Sequence, residues 1–169
     1  MRKLAYLAVV AALLVALQTG LGKATASTAT RSESVTQQEA DKWEIDQIEV
    51  KFHRATTNHD INLMMSLWAP GAIFNIDQQT LTGKAEIRHW FLTQNKAFMP
   101  THHWVSDTPS YKLRITLNGD KATLYFECDY FDPNTGVLTG AAAVTHQLQK
   151  INGQWLIVNS AGANVSPTP

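Results

Sequence analysis

The strongest constraint on the fold is the alternation of apolar and polar residues beyond residue 110, which is interrupted by two Asn-Gly pairs. Successive side chains of a strand point to opposite faces, so this period predicts strands with one buried face. An Asn-Gly pair favours a two-residue type I′ turn, because both residues tolerate positive φ. Asn118-Gly119 and Asn152-Gly153 therefore predict two antiparallel hairpins.

The first Asn-Gly pair predicts a register that places Leu117 opposite Asp120 and Leu113 opposite Leu124. One face of this hairpin and its continuation is apolar: Tyr111, Leu113, Ile115, Ala122, Leu124, Phe126, Cys128 and Tyr130. The opposite face carries Lys112, Arg114, Glu127 and Asp129, for which cross-strand charge pairing or a dimer contact is the simpler interpretation. A slip of one residue would mix the two faces, so the register is well specified.

The second pair predicts a hairpin in which Leu148 faces Ile157 and His146 faces Asn159. His146 and Asn159 are then two polar residues on an otherwise apolar face. A buried imidazole needs hydrogen-bond partners. Asn159 is expected to orient the ring, either as part of a reactive site or as a structural pair.

Helical patterns precede the strands. Thr36-Gln37-Gln38-Glu39 has the form of a capping box, which predicts a helix from Thr36 to about Asn58. Asp60 is expected to cap a short helix that runs through Trp68 and ends at Pro70-Gly71, before a strand over 72–76. A third helix is predicted from Gly83 to about Lys96. Helices followed by antiparallel strands indicate the α+β class.

The N-terminal residues have the form of a cleaved signal peptide. Arg2 and Lys3 precede an apolar run of 14 residues from Leu4 to Leu17, and Ala24-Thr25-Ala26 has the A-x-A form of a cleavage site. A spanning helix needs roughly 20 apolar residues, although an uncleaved anchor is the alternative. We predict a signal peptide over 1–26, a flexible lead-in over 27–35, one domain over 36–162 and a tail over 163–169. The product is expected to be secreted or periplasmic, with no membrane association after cleavage.

The charge of the predicted mature chain argues against two classes of partner. Removal of Arg2, Lys3 and Lys23 leaves 11 basic and 14 acidic residues, a net charge of −3. A mildly acidic chain without basic runs is a poor candidate for binding nucleic acid or anionic membranes. The single cysteine, Cys128, excludes an intrachain disulfide.

Six segments together resemble the SnoaL-like branch of the nuclear transport factor 2-like superfamily. They are the first helix from Trp43, then His59-Asp60 leading to 67–74, followed by 81–87, 101–107, 117–122 and 150–157. The resemblance implies a cone-shaped α+β barrel, in which helices close one side of a curved, mainly antiparallel sheet around a small-molecule pocket. It also implies a homodimer through the outer sheet face. Relatives include dehydratases, isomerases, cyclases, hydrolases and non-catalytic binding modules, so fold alone does not give the reaction.

The resemblance also implies a base. His103 is similar to the histidine of pocket dehydratases of this superfamily, and an imidazole suits proton abstraction next to a carbonyl. His146 or Tyr130 would polarise that carbonyl. Each has a structural alternative, a side chain satisfied by local hydrogen bonds. The expected ligand-binding residues are Asn159, Trp104, Phe126, Trp68 and Trp90.

Other features narrow the chemistry. His53, His59 and His89 are interpreted as helix-surface or turn residues, and a buried Cys128 as a small hydrophobe. The sequence predicts no cofactor and no metal site, because phosphate-binding glycine loops and metal-ligand spacings are absent. The tyrosine and acidic residue that the pocket dehydratases carry near the end of the first helix are also missing, since 55–60 offers only Asp60, which is expected to cap the next helix.

Three functions stay open. The first is a cofactor-independent dehydratase, isomerase or cyclase that acts on a hydrophobic carbonyl compound. The second is a non-catalytic module that binds such a molecule. The third is a dimerisation or partner-binding domain whose interior is filled by side chains.

Overall fold

The computed structural model describes residues 34–99, 105–106 and 112–165, with side chains through 162. Helix α1 spans 34–57, so Thr36 lies inside the helix rather than at its N-cap. Helix α2 spans Ile61–Ser66 and α3 spans Gly83–Thr93, followed by a 3-10 turn at Lys96–Phe98. None of the helices in these described ranges is long and apolar enough to cross a membrane.

The predicted cap of α2 is confirmed. The Asp60 carboxylate accepts hydrogen bonds from the backbone N–H groups of Asn62 and Leu63, at 3.1 and 2.9 Å. These two donors have no partner inside the helix, so a carboxylate there stabilises the first turn.

The predicted end of α2 is wrong. The helix stops at Ser66, and strand β1 runs over Trp68–Ile76 through Pro70-Gly71. Pairing with a distant strand decides this boundary, because the Ile157 N–H donates to the Leu67 carbonyl at 2.8 Å. Proline has no N–H for a ladder, and Pro70 lies where the pairing register shifts between Trp68 and Ile73.

Strand β2, Gln79–Thr82, was not predicted. It pairs with β1 across a two-residue turn at Asp77-Gln78, where both residues have positive φ, 49° and 64°. This is the φ pattern of a type I′ turn, but the pair contains neither Asn nor Gly. The turn therefore lacks the residues that usually signal it.

In the described residues, seven strands form one curved, unclosed sheet, which confirms the α+β class. The remaining strands are β3 Val105–Ser106, β4 Lys112–Asn118, β5 Lys121–Phe131, β6 Leu138–Ile151 and β7 Gln154–Val165. The order is β2-β1-β7-β6-β5-β3, and β4 also pairs with β5. Only β1 and β7 are parallel; the other described pairs are antiparallel.

The register of the first hairpin differs from the prediction. Its loop is Gly119-Asp120, with Asn118 opposite Lys121 and Leu113 opposite Phe126. Only Gly119 has positive φ there, 60°, as in a type II′ turn. Moving the loop by one residue shifts the pairing by two positions. The predicted assignment of residues to the two faces is therefore preserved.

The second hairpin has the predicted type I′ turn, with φ of 52° at Asn152 and 80° at Gly153. Leu148 pairs with Ile157 as expected. A bulge at Val158 then shifts the register, so that Gln147 pairs with Asn159 and His146 with Ser160. The predicted pairing of His146 with Asn159 is wrong for this reason.

An aromatic core contacts the inner face of the sheet. Phe52 of α1 and Phe91 of α3 lie 6.1 Å apart between ring centroids, and Phe52 lies 5.6 Å from Phe126 of β5. Phe91 also stacks on Phe74 of β1 at 6.1 Å. Phe52 and Phe126 of this cluster also lie against the buried ring of His146, at 5.5 and 5.4 Å between centroids.

Candidate functional site

His146 is the most unusual polar residue of the core. Strand β6 directs its ring to the inner face, where it is fully buried. Its Nδ1 is hydrogen-bonded to the Ser160 hydroxyl at 2.8 Å. Its Nε2 has no hydrogen-bond partner within the described residues. Because buried polar groups are nearly always hydrogen-bonded, this nitrogen calls for an explanation.

Aromatic rings surround His146. The centroids of Phe126, Phe52 and Trp68 lie 5.4, 5.5 and 5.9 Å from the imidazole. Burial removes water from the ring and lowers the pKa of His146 to about 3. The ring is therefore neutral at pH 7 and carries one proton. If Nδ1 accepts a hydrogen bond from the Ser160 hydroxyl, the ring proton is on Nε2, which is then a donor. If the ring proton is on Nδ1, Nε2 is an acceptor.

Two tryptophans carry further nitrogens of this kind. The Nε1 atoms of Trp68 and Trp90 are buried and have no hydrogen-bond partner in the described part of the chain. Phe74 lies between the two indoles, 5.2 Å from each by ring centroid. Trp68, Trp90 and Phe126, all predicted as ligand-binding residues, thus belong to one cluster with His146.

Asn159 does not belong to this cluster. The bulge at Val158 places it opposite Gln147, where it is only partly buried and its carbonyl accepts from Asn75 Nδ2 at 3.4 Å. Ser160 takes the place expected for Asn159. A bulge is a one-residue insertion that no turn motif announces, so the alternation alone could not reveal the exchange.

Tyr130 lies further along the inner face of β5, where it is buried. Its phenol oxygen accepts a weak hydrogen bond from Cys128 Sγ at 3.6 Å. Ser106 of β3 is opposite Tyr130 in the sheet, so the two side chains share a face.

His53 is not at the helix surface, contrary to the prediction. It is 1% exposed, and its Nδ1 lies 2.5 Å from Ser106 Oγ. Its Nε2 lies 3.2 Å from Oε1 of Glu49, which is also buried. The burial of His53 could have been found from its spacing: it lies one helical turn after Glu49, and the two residues are next to the apolar Phe52 and Ile48. The two other histidines predicted at helix surfaces or in turns are found there: His59 lies in the turn before α2, and His89 is exposed on α3.

The outer face carries the predicted charge pairing. Lys112 Nζ lies 3.0 Å from Glu127 Oε1, and the Tyr125 hydroxyl also hydrogen-bonds to Glu127. These hydrogen bonds lower the pKa of Glu127; the bond from Tyr125 has the larger effect and the bond from Lys112 the next largest. Glu127 therefore belongs to a surface network, as its position opposite the apolar face predicts.

Two predicted residues, His103 and Trp104, lie outside the described residues. The role of His103 as a base stays a prediction. Among the residues that the structure does describe, no group of three or more His, Cys, Asp or Glu side chains is placed to hold a metal ion.

Comparison with known proteins identifies the domain type. The model of the SnoaL-like domain matches residues 37–161 of this chain. No curated protein matches the sequence.

Many solved structures share the fold. A protein of unknown function with a cystatin-like fold from Nostoc punctiforme is 23% identical, with a TM-score of 0.65 over 77% of this chain and 95% of that one. A nuclear transport factor 2-like protein from Novosphingobium aromaticivorans is 16% identical, with a TM-score of 0.70 over 82% and 91%. A ketosteroid isomerase-like protein from Erwinia carotovora is 16% identical, with a TM-score of 0.56 over 73% and 95%. These similarities confirm the predicted fold.

Proposed function

Because the chain belongs to the SnoaL-like domain family, we propose that it binds a hydrophobic small molecule with a carbonyl or similar acceptor group, and acts on it by cofactor-independent acid–base chemistry. One observation carries this proposal. Three buried nitrogens, on His146, Trp68 and Trp90, have no hydrogen-bond partner in the described part of the chain and belong to one aromatic cluster.

The energetics favour a ligand there. A buried polar group without a partner costs about 1–3 kcal/mol, so three such groups are a substantial cost to the core. An indole N–H is only a donor, and a ligand that satisfies Trp68 and Trp90 must therefore offer acceptor atoms. The surrounding phenylalanine rings favour an apolar body for the same molecule.

The chemistry of His146 suits a hydrogen-bond donor better than a base. A group with a pKa of about 3 is a weak proton acceptor at neutral pH. If the Ser160 hydroxyl donates to Nδ1, the tautomer with a proton on Nε2 is fixed, and Nε2–H can donate to a carbonyl oxygen. Such a bond strengthens as negative charge develops on that oxygen when a proton leaves the adjacent carbon. His103, similar to the dehydratase histidine, is the proposed base.

This division of roles fits a dehydratase, an isomerase or a cyclase. Each such reaction can proceed through an enol or enolate, so a polarised carbonyl lowers the barrier without a cofactor. One protein of the same fold is named ketosteroid isomerase-like, and cyclic ketones are therefore the first compounds to test.

Binding without catalysis is the second candidate. In the part of the chain that the structure describes, His146 is hydrogen-bonded to the Ser160 hydroxyl and not to a carboxylate. That environment lacks the acid–base pair typical of this fold and favours a carrier or sensor of an apolar ligand.

Two further parts of the proposal come from the sequence. The N-terminal pattern supports export by a cleaved signal peptide. The homodimer through the outer sheet face comes from the family resemblance alone; that face carries Arg114 above the Tyr125 ring at 4.9 Å and the Lys112–Glu127 pair.

The test of binding uses the indole N–H signals in proton–nitrogen NMR spectra. On addition of cyclic ketones of increasing size, the signals of Trp68 and Trp90 should shift downfield as these donors gain an acceptor. Trp43 is 63% exposed and provides an internal control that should not move. If every compound leaves Trp68 and Trp90 unchanged, the proposed ligand class is wrong.

Catalysis is tested separately by exchange of the hydrogens next to the carbonyl of a bound ketone in heavy water. The enzyme interpretation expects faster exchange with the protein, and a loss of at least about 100-fold in the H146F variant, the size typical of one oxyanion donor. The exposed H89Q variant is the matched control. Binding without any exchange would establish the second candidate.

A further inference from the structure

We propose that Ser106 is a nucleophile activated by His53 and Glu49, and that the chain thereby catalyses acyl transfer from hydrophobic esters. This activity is distinct from the chemistry proposed for His146. It uses three side chains that no sequence motif identified.

The geometry is a continuous chain of hydroxyl, imidazole and carboxylate. Ser106 Oγ lies 2.5 Å from His53 Nδ1, and His53 Nε2 lies 3.2 Å from Glu49 Oε1. The three residues are 6%, 1% and 1% exposed. Acyl-transfer enzymes on unrelated folds use the same order of groups, recognised by geometry rather than by sequence position. In the usual triad Nε2 of the histidine contacts the serine and Nδ1 the carboxylate. In this protein Nδ1 contacts Ser106 and Nε2 contacts Glu49.

The protonation states suit this role. The Glu49 carboxylate accepts the proton on Nε2, which leaves the lone pair of Nδ1 facing the Ser106 hydroxyl. Burial lowers the pKa of His53 to about 4, so the free ring is neutral at pH 7 and, like His146, a weak base. His53 differs in having the Glu49 carboxylate 3.2 Å from Nε2, which stabilises the positive charge on the ring when Nδ1 takes the serine proton. Both ring nitrogens of His53 are in contact with a neighbour, so among these three side chains the Ser106 hydroxyl presents the attacking atom.

Local structure holds the serine in place. The Ser106 backbone N–H donates to Thr57 Oγ1 at 3.1 Å, which ties β3 to the last turn of α1. Ser106 shares its face with Tyr130, and the His53 ring lies 5.5 Å from Phe126. The hydroxyl therefore faces the apolar inner side of the sheet, which selects a hydrophobic acyl group.

The reaction balances with water as the only co-reactant. Ser106 Oγ forms a bond to the acyl carbon while its proton passes to His53 Nδ1. The ester C–O bond then breaks, and the leaving alkoxide takes that proton to give an alcohol. Water next attacks the acyl-serine, with its proton passing through His53 to Oγ as the acyl–Oγ bond breaks. The products are an acid and an alcohol.

A purely structural role would use the same hydrogen bonds, since they join α1 to β3. Reactivity separates the two interpretations. The first experiment treats the wild-type protein with a fluorophosphonate, which phosphonylates activated serines, and locates the adduct by peptide mass spectrometry. We expect a single adduct on Ser106. If the folded wild type gains none there, the nucleophile proposal is overturned.

Variants then assign the roles. H53Q removes the base, and E49Q favours the wrong tautomer; both should slow labelling, by about 10²- to 10⁴-fold. S66A and H89Q, at exposed positions, should label at the wild-type rate. Circular dichroism confirms that each variant is folded. Equal labelling of H53Q and wild type would show that His53 does not activate Ser106.

The substrate class is tested with p-nitrophenyl esters of acetate, butyrate and octanoate. The longer chains should react faster, with a burst of one p-nitrophenol per protein. A faster reaction with the acetate ester would refute the proposal that the Ser106 hydroxyl, on the apolar inner face, selects hydrophobic acyl groups. None of these measurements depends on the indole shifts at Trp68 and Trp90, so the two proposals can fail independently.

Discussion

Acid should destabilise this domain through its two buried histidines. His53 and His146 are neutral in the folded state, because burial lowers their pKa values to about 4 and about 3. In the unfolded chain both return to the ordinary value of about 6.5. Below that pH the unfolded state binds more protons than the folded state, so the free energy of unfolding falls as the pH falls.

The size of the effect follows from these pKa values. Between pH 7 and pH 5 each histidine is protonated almost only in the unfolded state, which removes about 2 kcal/mol of stability per residue. The loss begins near pH 6.5 and levels off below about pH 4 for His53 and about pH 3 for His146. Together the two residues should remove about 4 kcal/mol by pH 5, a large part of the 5–15 kcal/mol typical of a domain.

Urea unfolding at pH 7, 6 and 5 measures this loss. H146Q keeps a polar group beside Ser160 but cannot titrate, and its loss between pH 7 and 5 should be smaller than that of wild type by about 2 kcal/mol. The exposed variant H89Q should show the wild-type loss. If H146Q loses as much stability as wild type, His146 is not held neutral by burial, and the assignment of its Nε2–H as a donor loses its basis.

Three substitutions test the fold by urea unfolding at pH 7. D60A removes the cap of α2 and should cost about 1 kcal/mol, whereas the exposed D120A should change little; equal effects would refute the capping role. F126A removes the ring that contacts Phe52 and His146 and should cost about 3–5 kcal/mol; a loss below about 1 kcal/mol would contradict a packed core. Q78G relieves a non-glycine residue at φ 64° and should stabilise by up to about 1 kcal/mol, and destabilisation would show that the side chain stabilises the turn.

The faces of the sheet could be predicted because the face on which a side chain lies depends only on whether its position along the strand is odd or even. The first hairpin turns at Gly119-Asp120 rather than Asn118-Gly119, yet Leu113 and Phe126 still face inward and Glu127 outward. A shift of two pairing positions leaves every side chain on its face. Alternation therefore predicts burial even where the turn is misplaced.

Long-range pairing could not be predicted in the same way. Trp68 continues an apolar helical spacing, but its parallel pairing with Ile157 makes it the first residue of β1. The partner lies 89 positions along the chain, and no local pattern carries that information. His53 is a related case, because the hydroxyl hydrogen-bonded to its Nδ1 belongs to Ser106, 53 positions along the chain.

The bulge at Val158 decides the character of the candidate site. Without it, His146 would face Asn159, whose amide has both donors and an acceptor to offer an imidazole. The extra residue reverses the alternation, so Trp155, Ile157 and Ser160 are the buried residues of β7 and Asn159 turns away. The Ser160 hydroxyl contacts Nδ1 at 2.8 Å, and aromatic rings surround the imidazole. A single inserted residue thus replaces the predicted amide partner of His146 with a hydroxyl, and Nε2 has no hydrogen-bond partner among the described residues.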